Sequence, residues 1–323
     1  MRAIWLILGA AIVAAPACAD DSSAALGAGG VVLTHGTPVR MAAEDLFISP
    51  KQVRVHFVFA NDTDKDIDTV VAFPLPDIDT ATYWGSAVGT VTDDPANFIG
   101  FRLSVDGKPV AFKIEQRAFL KEKDVTAEIK AVGAPLNPVA GHGYLDLDKL
   151  PAAMRKHLIA LGIAEGDGDQ FVPQWVLRTK FYWQQRFPAH KSVVIDHSYQ
   201  PVTGQSLFGS YSLTDKEELA RNRRDFCLDA GTEAAIRLKV GKLDPKSESG
   251  AYLQAFETDY VLKTANNWKG PIGHFHLTLD KLKPANVLSL CWDGELRKTG
   301  ATTFESTRSS FAPARDISLL VLQ

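Results

Sequence analysis

The sequence predicts a mainly β protein with two β-sandwich-like domains, either separate or fused into one super-sandwich, and a small helical insertion. Between Val176 and Pro201, large apolar side chains alternate with polar ones up to Pro188, and the alternation resumes after it. Residues 53–76 repeat this design, with an acidic loop in the middle and Phe-Pro-Leu-Pro at the end. A period of two places one face of a strand on a core. We therefore expect each stretch to form a β-hairpin.

The N-terminus has the features of a secretory signal peptide over residues 1–19. One arginine precedes an apolar run over residues 3–15, and Ala17-Cys18-Ala19 follows as a small-residue cleavage site. Cleavage near Ala19 predicts a periplasmic or secreted protein. The alternative is that Cys18 is lipidated rather than removed, although the residues before it are small rather than large and aliphatic.

Length and turn signals divide the remaining chain into three parts. Roughly 300 residues exceed what one hydrophobic core usually serves, so two β domains are expected. We place an N-terminal β-sandwich domain at 20–113, a helical insertion at 114–171 and a C-terminal β domain at 172–323. The dipeptide Asp106-Gly107 between apolar runs predicts a tight hairpin in the first domain.

Two helices are indicated by spacing and caps. Leu150, Met154, Leu158 and Leu161 recur at helical intervals within the insertion. In the last domain, Thr214 with a glutamate three residues later forms a capping-box pattern, which predicts a helix near 214–228.

Charge and hydropathy exclude two classes of partner. The chain holds 35 Lys and Arg against 38 Asp and Glu, a net charge of −3, and contains no basic run. This balance argues against a nucleic-acid partner. After the signal peptide, no segment reaches the ~18 apolar residues of a membrane-spanning helix.

Loss of Cys18 with the signal peptide would leave two cysteines, Cys227 and Cys291. In an oxidising compartment, an isolated pair most simply forms a disulfide. Two buried free thiols are the alternative, because cysteine is commonly buried whether or not it is paired.

The acidic loop suggests calcium, but the pattern fits poorly. Asp62, Asp64 and Asp66 alternate in it, as ligands do in an EF-hand loop. The template, however, needs glycine at its sixth position and a carboxylate at its twelfth, where this chain has Ile67 and Phe73. A solvated hairpin loop is the preferred interpretation.

His274 and His276 are candidate zinc ligands, because residues two apart on a strand share one face. The sequence indicates no third ligand, so two histidines on a half-exposed strand are the simpler interpretation.

Catalytic signals are weak. The stretch from Gly204 to Gly209 is one residue out of step with a nucleophile-elbow motif, and no phosphate-binding glycine loop or dinucleotide fingerprint is present. Paired carboxylates for glycoside hydrolysis are recognised by their distance in space, so the sequence neither identifies nor excludes such a pair. We predict no catalytic residue and no cofactor, and the assignment as an enzyme is left undecided with a preference against it.

Aromatic residues are the remaining candidates for ligand contact. Trp268 lies in a loop-like stretch and Trp183 in the second alternating segment. Tryptophans on a β platform can stack sugars, although core packing is their usual role.

Several motifs together resemble a bacterial exported family known as domain of unknown function 4424. The motifs are Asp21–Ala24, Glu44–Ser49, Val71–Asp77, Gln116–Ala118, Asp124–Thr126, Phe187–Ala189, Phe226-Cys227, Asn267–Gly273 and Phe311–Asp316. The resemblance covers nearly the whole chain after the signal peptide. It implies export and a single full-length unit, and it implies no activity.

A weaker resemblance covers residues 53–76 alone. Alternating apolar residues, an asparagine, an acidic loop and Phe-Pro-Leu-Pro look like a hairpin of the vault/inter-α-trypsin (VIT) domain, a β-sandwich. This implies fold at most.

These observations favour a non-catalytic binding or cell-envelope-associated module. The partner is unknown from the sequence; another envelope protein or a glycan fits the expected compartment. The alternative is a periplasmic hydrolase that acts on an envelope polymer such as a glycan. A cleft with two acids about 5–10 Å apart would favour the hydrolase, and an open groove would favour binding.

Overall fold

The computed structural model describes residues 21–27, 30–84, 92–141, 143–167, 170–243 and 251–323. The predicted signal peptide, Cys18 included, lies outside these residues. The described chain is mainly β, as predicted, with a sandwich-like arrangement of sheets. None of its helices is long and apolar enough to span a bilayer.

The strands are numbered in chain order. They are β1 (Ser22–Gly27), β2 (Gly30–Leu33), β3 (Arg40–Ser49), β4 (Gln52–Asn61), β5 (Ile67–Pro74), β6 (Ile78–Asp79), β7 (Arg102–Val105), β8 (Lys108–Pro109), β9 (Lys113–Leu120), β10 (Lys123–Asp124), β11 (Ala164–Glu165), β12 (Val172–Pro173), β13 (Val176–Phe187), β14 (Lys191–Tyr199), β15 (Gly204–Phe208), β16 (Leu253–Tyr260), β17 (Ile272–Asp280), β18 (Val287–Leu290), β19 (Arg297–Lys298), β20 (Thr303–Phe311) and β21 (Ile317–Leu322).

The helices follow the same convention. They are α1 (Thr126–Ala131), α2 (Gly143–Asp148), α3 (Ala152–Ala160), α4 (Tyr211–Thr214), α5 (Lys216–Phe226) and α6 (Ala230–Val240), with one 3₁₀ helix at Lys263–Asn267.

Three large sheets build the fold. A seven-stranded sheet has the order β10-β9-β13-β5-β1-β2, with β6 also paired to β13; an eight-stranded sheet has the order β19-β20-β17-β3-β4-β14-β7-β8; a four-stranded sheet has the order β15-β16-β21-β18. All three contribute side chains to one continuous core, represented by Phe57 from the eight-stranded sheet, Phe181 from the seven-stranded sheet and Leu319 from the four-stranded sheet.

The two predicted hairpins are arches rather than hairpins. Their strands form where expected, but β4 and β14 pair in the eight-stranded sheet while β5 and β13 pair in the seven-stranded sheet. Each loop therefore carries the chain from one sheet to the other. We call β4–β5 the first arch and β13–β14 the second arch. Alternation specifies that a strand has one buried face, which a hairpin and an arch satisfy equally, so the sequence pattern could not separate them.

Strand pairing also crosses the predicted domain boundaries. Strand β17 of the C-terminal segment pairs in parallel with β3 of the N-terminal segment, and β13 pairs with β5 and β9. The divisions at 113 and 171 thus do not coincide with the sheets. The segment between them does contain α1, α2 and α3.

Local sequence signals predicted turns and helices more reliably than alternation predicted strand pairing. Asp106 and Gly107 both adopt positive φ in the two-residue turn between β7 and β8, as an Asp-Gly hairpin requires. Helix α3 forms, but of the predicted stripe only Leu158 is buried. Helix α5 also forms; its N-cap is Asp215, which accepts from the Glu217 and Glu218 amides, rather than the predicted Thr214.

Candidate ligand-binding site

The outer face of the eight-stranded sheet carries the candidate site. Along β4, Val55 and Phe57 are buried on the core side, while Arg54 and His56 are exposed on the other. The same alternation in β3 and β14 turns Asp45 and Asp196 outward. Because this face is not covered by another sheet, polar side chains meet across strands in the open.

One transverse row alternates histidine and aspartate. Strand register aligns His276, Asp45, His56, Asp196 and Ser104 across β17, β3, β4, β14 and β7. His56 Nδ1 lies 2.7 Å from Asp196 Oδ1, and His276 Nδ1 lies 3.3 Å from Asp45 Oδ1. The row therefore contains one cross-strand hydrogen-bonded pair, His56–Asp196, and one close cross-strand contact, His276–Asp45.

The adjacent row carries arginine. Register aligns Phe47, Arg54, Ser198 and Arg102 across β3, β4, β14 and β7. The Arg54 guanidinium carbon lies 4.4 Å from the Phe47 ring centroid, a cation–π contact that restricts the side chain. Ser198 separates the two arginines.

These rows line an open groove of about 730 Å³. Its apolar wall comes from the β7–β8 hairpin and the segment after it, through Pro109, Val110 and Phe112. A volume of this size lies in the range of small-molecule sites, which combine apolar walls with a few placed polar groups. The groove can therefore accommodate a small molecule or part of a longer polymer.

The charges in the groove are not all paired internally. Asp196 also lies near the Ser104 hydroxyl, at 3.4 Å, and is thus contacted from two sides. Within the described part of the chain, Arg54 and Arg102 form no ion pair with a carboxylate. Their positive charges are available at the surface.

A second group of titratable residues lies on the core side of the same sheet. His197 is fully buried among Phe57, Phe73, Phe101 and Trp183, with ring centroids 4.9–5.5 Å away. Burial lowers the pKa of His197 to about 3, so the ring is neutral at physiological pH. Solvent does not reach it.

Two buried carboxyl groups accompany this histidine. Asp21 Oδ1 lies 3.6 Å from His197 Nε2, and Glu44 Oε1 lies 3.4 Å from the Tyr260 hydroxyl. Burial raises the pKa of Glu44 to about 8, against the Tyr260 hydrogen bond, which lowers it. Burial and the neighbouring Glu44 also raise the pKa of Asp21. These acids are enclosed in the core and cannot reach a substrate.

A narrow crevice holds another pair of acids. Asp77 and Asp259 line it together with Tyr83, and its volume is about 40 Å³. This is room for about one or two waters, far less than a sugar ring requires.

The structure links Cys227 and Cys291 by a disulfide, the pairing that the sequence predicts. The bond joins the end of α5 to the residue after β18. Neither cysteine lines the groove.

The two candidate tryptophans are core residues. Trp268 is 3% exposed, packs with its centroid 4.4 Å from that of Phe59, and donates its indole N–H to the Asp21 carbonyl at 2.6 Å. Trp183 is 4% exposed and donates to Gln185 at 3.2 Å. Neither ring offers an exposed face for stacking. For Trp268, tertiary packing covers a stretch that looked loop-like in the sequence.

The metal candidates do not come together. His274 and His276 share the outer face, as predicted, but His276 contacts Asp45 and Glu305. Across the described residues, no three His, Cys, Asp or Glu side chains are grouped so as to hold a metal ion.

The acidic loop contacts β3 through Asp62 and the second arch through Asp64 and Asp66. Asp62 pairs with Arg40, Asp64 with His190, and Asp66 with Arg186 and the Ala189 amide. Each of these carboxylates already has its own protein partner, which explains the alternation without calcium.

Sequence analysis did not identify the groove residues Arg54, His56, Arg102 and Asp196. Their polarity on alternating positions was visible, but that signal is shared by every half-exposed strand. Which of them become neighbours depends on strand order and register, since β14 pairs with β4 across more than 130 residues of sequence.

The chain belongs to the family described as Domain of unknown function (DUF4424), whose family model matches residues 19–320. No protein with a curated description matches it. Among solved structures, one similar fold is a Legionella pneumophila protein titled "putative nutrient binding protein", with 14% identity and a TM-score of 0.43 over 89% of this chain and 68% of that one. Similarity at this level is too low to transfer what that protein binds.

Proposed function

We propose that this protein is an exported, non-catalytic binding protein that takes its ligand in the groove on the outer face of the eight-stranded sheet. The observation that carries the proposal is the groove itself, about 730 Å³ of open space lined by cross-strand polar rows and one apolar wall. A rigid sheet holds these side chains in position, which reduces the entropic cost of binding.

Location and chemistry of the acids support binding over catalysis. The carboxyl groups with strongly raised pKa values, Asp21 and Glu44, are enclosed beneath the sheet. The crevice at Asp77 and Asp259 is too small for a glycan. Neither of these two pairs therefore gives the hydrolase alternative an accessible site, and the groove acids Asp45 and Asp196 are each paired with a histidine.

Export is supported by the disulfide. Cys227–Cys291 needs an oxidising compartment such as the periplasm. Peptide mapping of the unreduced protein from a periplasmic fraction should give one linked Cys227–Cys291 peptide. Two alkylatable thiols in that fraction would contradict the assignment.

Blocking the groove tests the binding site. Ser198→Trp would place an indole between the two arginines, on a strand where aromatic residues are well tolerated. Ser192→Trp is the matched control, on the same strand and the same face but about 20 Å away at 3.4 Å per residue.

The measurement is a ligand-observed NMR screen of a mixed fragment library. Compounds that bind the wild-type protein should lose binding to Ser198→Trp and keep it for Ser192→Trp. Equal binding to both variants, or no binding to the wild type, would exclude the groove as the site. A glycan fragment converted to a shorter product would favour the hydrolase.

A further inference from the structure

We infer that the ligand of the groove carries a single anionic group, a carboxylate or a phosphate, which is bound by Arg54 and Arg102 on either side of Ser198. This inference rests on the proposed binding function and specifies the chemistry of the same site. It has three supports: the placement of the two arginines, their lack of internal partners, and the acidic row beside them.

The placement of the two arginines follows from strand register. Ser198 on β14 lies opposite Arg54 on β4 and opposite Arg102 on β7. With strands spaced by about 4.8 Å, the two arginine Cα atoms lie about 10 Å apart on the same face of the sheet, with a hydroxyl between them. Two long guanidinium side chains at this spacing can converge on one oxyanion.

Lack of partners distinguishes these two arginines from most others. Eight other arginines in the described residues pair with carboxylates, at Asp62, Asp77, Asp124, Asp66, Glu218, Glu233, Asp225 and Asp293, and four, Arg155, Arg237, Arg297 and Arg308, do not. No such partner lies against Arg54 or Arg102 in the same part of the chain. The acids nearest to them in the groove, Asp45 and Asp196, are engaged by His276 and His56.

Arg54 contacts Phe47 on β3, the side of β4 away from Ser198, so its side chain must turn toward β14 to share an oxyanion with Arg102. The guanidinium carbon lies 4.4 Å from the Phe47 ring centroid, and the N–H edges form no ion pair with a carboxylate in the described residues. Those edges match the two oxygens of a carboxylate or phosphate in a bidentate arrangement.

The neighbouring row limits the charge of the ligand. Asp45 and Asp196 place two carboxylates against His276 and His56 beside the arginine row. A polyanion lying across the sheet would meet these carboxylates and be repelled. A molecule with one anionic end and an apolar or neutral body fits better, with the body against Pro109, Val110 and Phe112.

The test uses three probes that share a fluorophenyl body. They are 4-fluorobenzoate, 4-fluorophenyl phosphate and the neutral 4-fluorobenzamide. Dissociation constants are measured by ¹⁹F NMR titration at constant ionic strength, for the wild type, Arg54→Gln, Arg102→Gln and the double variant. Arg221→Gln, on the exposed side of α5, removes the same charge elsewhere and serves as the control.

We expect at least one anionic probe to bind the wild type roughly tenfold more tightly than the amide, because a charge-assisted hydrogen bond is lost with the neutral group. Each single arginine variant should weaken that probe roughly tenfold, and the double variant should bind it no better than the amide. Arg221→Gln should bind like the wild type. Which anion binds more tightly distinguishes a carboxylate ligand from a phosphate ligand.

Three results would overturn the inference. The amide binding as tightly as both anions is one, and arginine variants binding like the wild type is another. A third is weak binding of all three probes by the wild type. If Ser198→Trp abolishes fragment binding while the arginine variants do not, the groove remains the binding site and the anionic ligand is excluded.

Arg102 lies on the short strand β7 near the sheet edge, so its variant should fold even if Arg54→Gln does not.

Discussion

Two histidine–aspartate pairs lie on opposite faces of the same sheet, and they behave differently. His56 and Asp196 meet at 2.7 Å on the outer face, with side chains 51% and 41% exposed. His197 and Asp21 lie 3.6 Å apart on the core side, with both side chains 0% exposed. Asp196 and His197 are consecutive residues, so a single step along β14 separates the two environments. Solvent access, rather than residue type, decides whether the pair is a surface group or a buried neutral one.

The largest expected effect separates the two histidines directly. His197→Ala removes a ring enclosed by four aromatic side chains and leaves a cavity, so it should lower the free energy of unfolding by about 3 kcal/mol. His56→Ala removes only an exposed side chain and should change it by less than about 0.5 kcal/mol. Urea unfolding at pH 7 measures both. Similar losses for the two variants would contradict the burial of His197.

The consecutive acids Glu44 and Asp45 allow a second comparison, in pH dependence. The pKa of Glu44 is about 8 in the folded protein, against an ordinary value of 4.5. Between these values the folded state holds a proton that the unfolded chain has released, so stability should fall as pH rises from about 4.5 through 8. Glu44→Gln should therefore stabilise the protein increasingly over this window, by on the order of a few kcal/mol at pH 9.

Asp45→Asn is the control for this experiment, because Asp45 is exposed on the outer face. Unfolding curves at pH 5, 7 and 9 should show the added slope removed by Glu44→Gln and retained by Asp45→Asn. Asp21, whose pKa is also raised by burial, acts in the same direction, so some slope should persist in Glu44→Gln. Parallel curves for wild type and Glu44→Gln would refute the assignment.

The contacts between the arches provide a third, smaller comparison. Asn61 is buried and donates to the Lys65 and Phe187 carbonyls at 2.8 Å, whereas Asp66 binds Arg186 at the surface. Asn61→Ala leaves the buried Phe187 carbonyl and the partly buried Lys65 carbonyl with one partner fewer each and should cost about 2 kcal/mol. Asp66→Ala should cost less, because solvent screens its exposed ion pair. Thermal unfolding ranks the two, and a reversed order would show that the acidic loop is the stronger contact.

The smallest effect concerns the outer pair itself. Asp196→Asn removes the charge opposite His56 and should change stability by less than about 0.5 kcal/mol, with the difference decreasing as salt is added. Chemical unfolding at low and at high ionic strength tests this. A loss of several kcal/mol, insensitive to salt, would mean that the outer face is covered in solution.

Much of the secondary structure was accessible from the sequence, and the candidate site was not. The strands of both arches, the Asp106-Gly107 turn and helix α5 follow from local alternation, turn chemistry and capping. The groove requires that Arg54 and Arg102 lie on either side of Ser198, three positions spread over more than 140 residues. Alternation identifies the exposed face of each strand but carries no information about its neighbours.

Trp268 and Glu44 show that the local sequence does not specify burial either, because both are buried although their sequence suggests exposure. Trp268 lies between glycine and polar residues and resembles a loop residue, yet it packs against Phe59 and binds the Asp21 carbonyl. Glu44 is a charged residue whose burial follows from a register shift between Met41 and Ala43, which turns both Met41 and Glu44 inward. Neither position could be assigned without the strands that surround it.

The amino-acid sequence alone determined the mainly β character, the turn at Asp106-Gly107 and the candidate disulfide partners, because these depend on side-chain period, backbone freedom and cysteine count. The tertiary structure decided that the two alternating segments are arches, that Trp183 and Trp268 are buried, and that two arginines without carboxylate partners share one groove. The physical reason is that period and propensity act within a few residues. Strand order and register are set instead by how several buried faces pack together at long range.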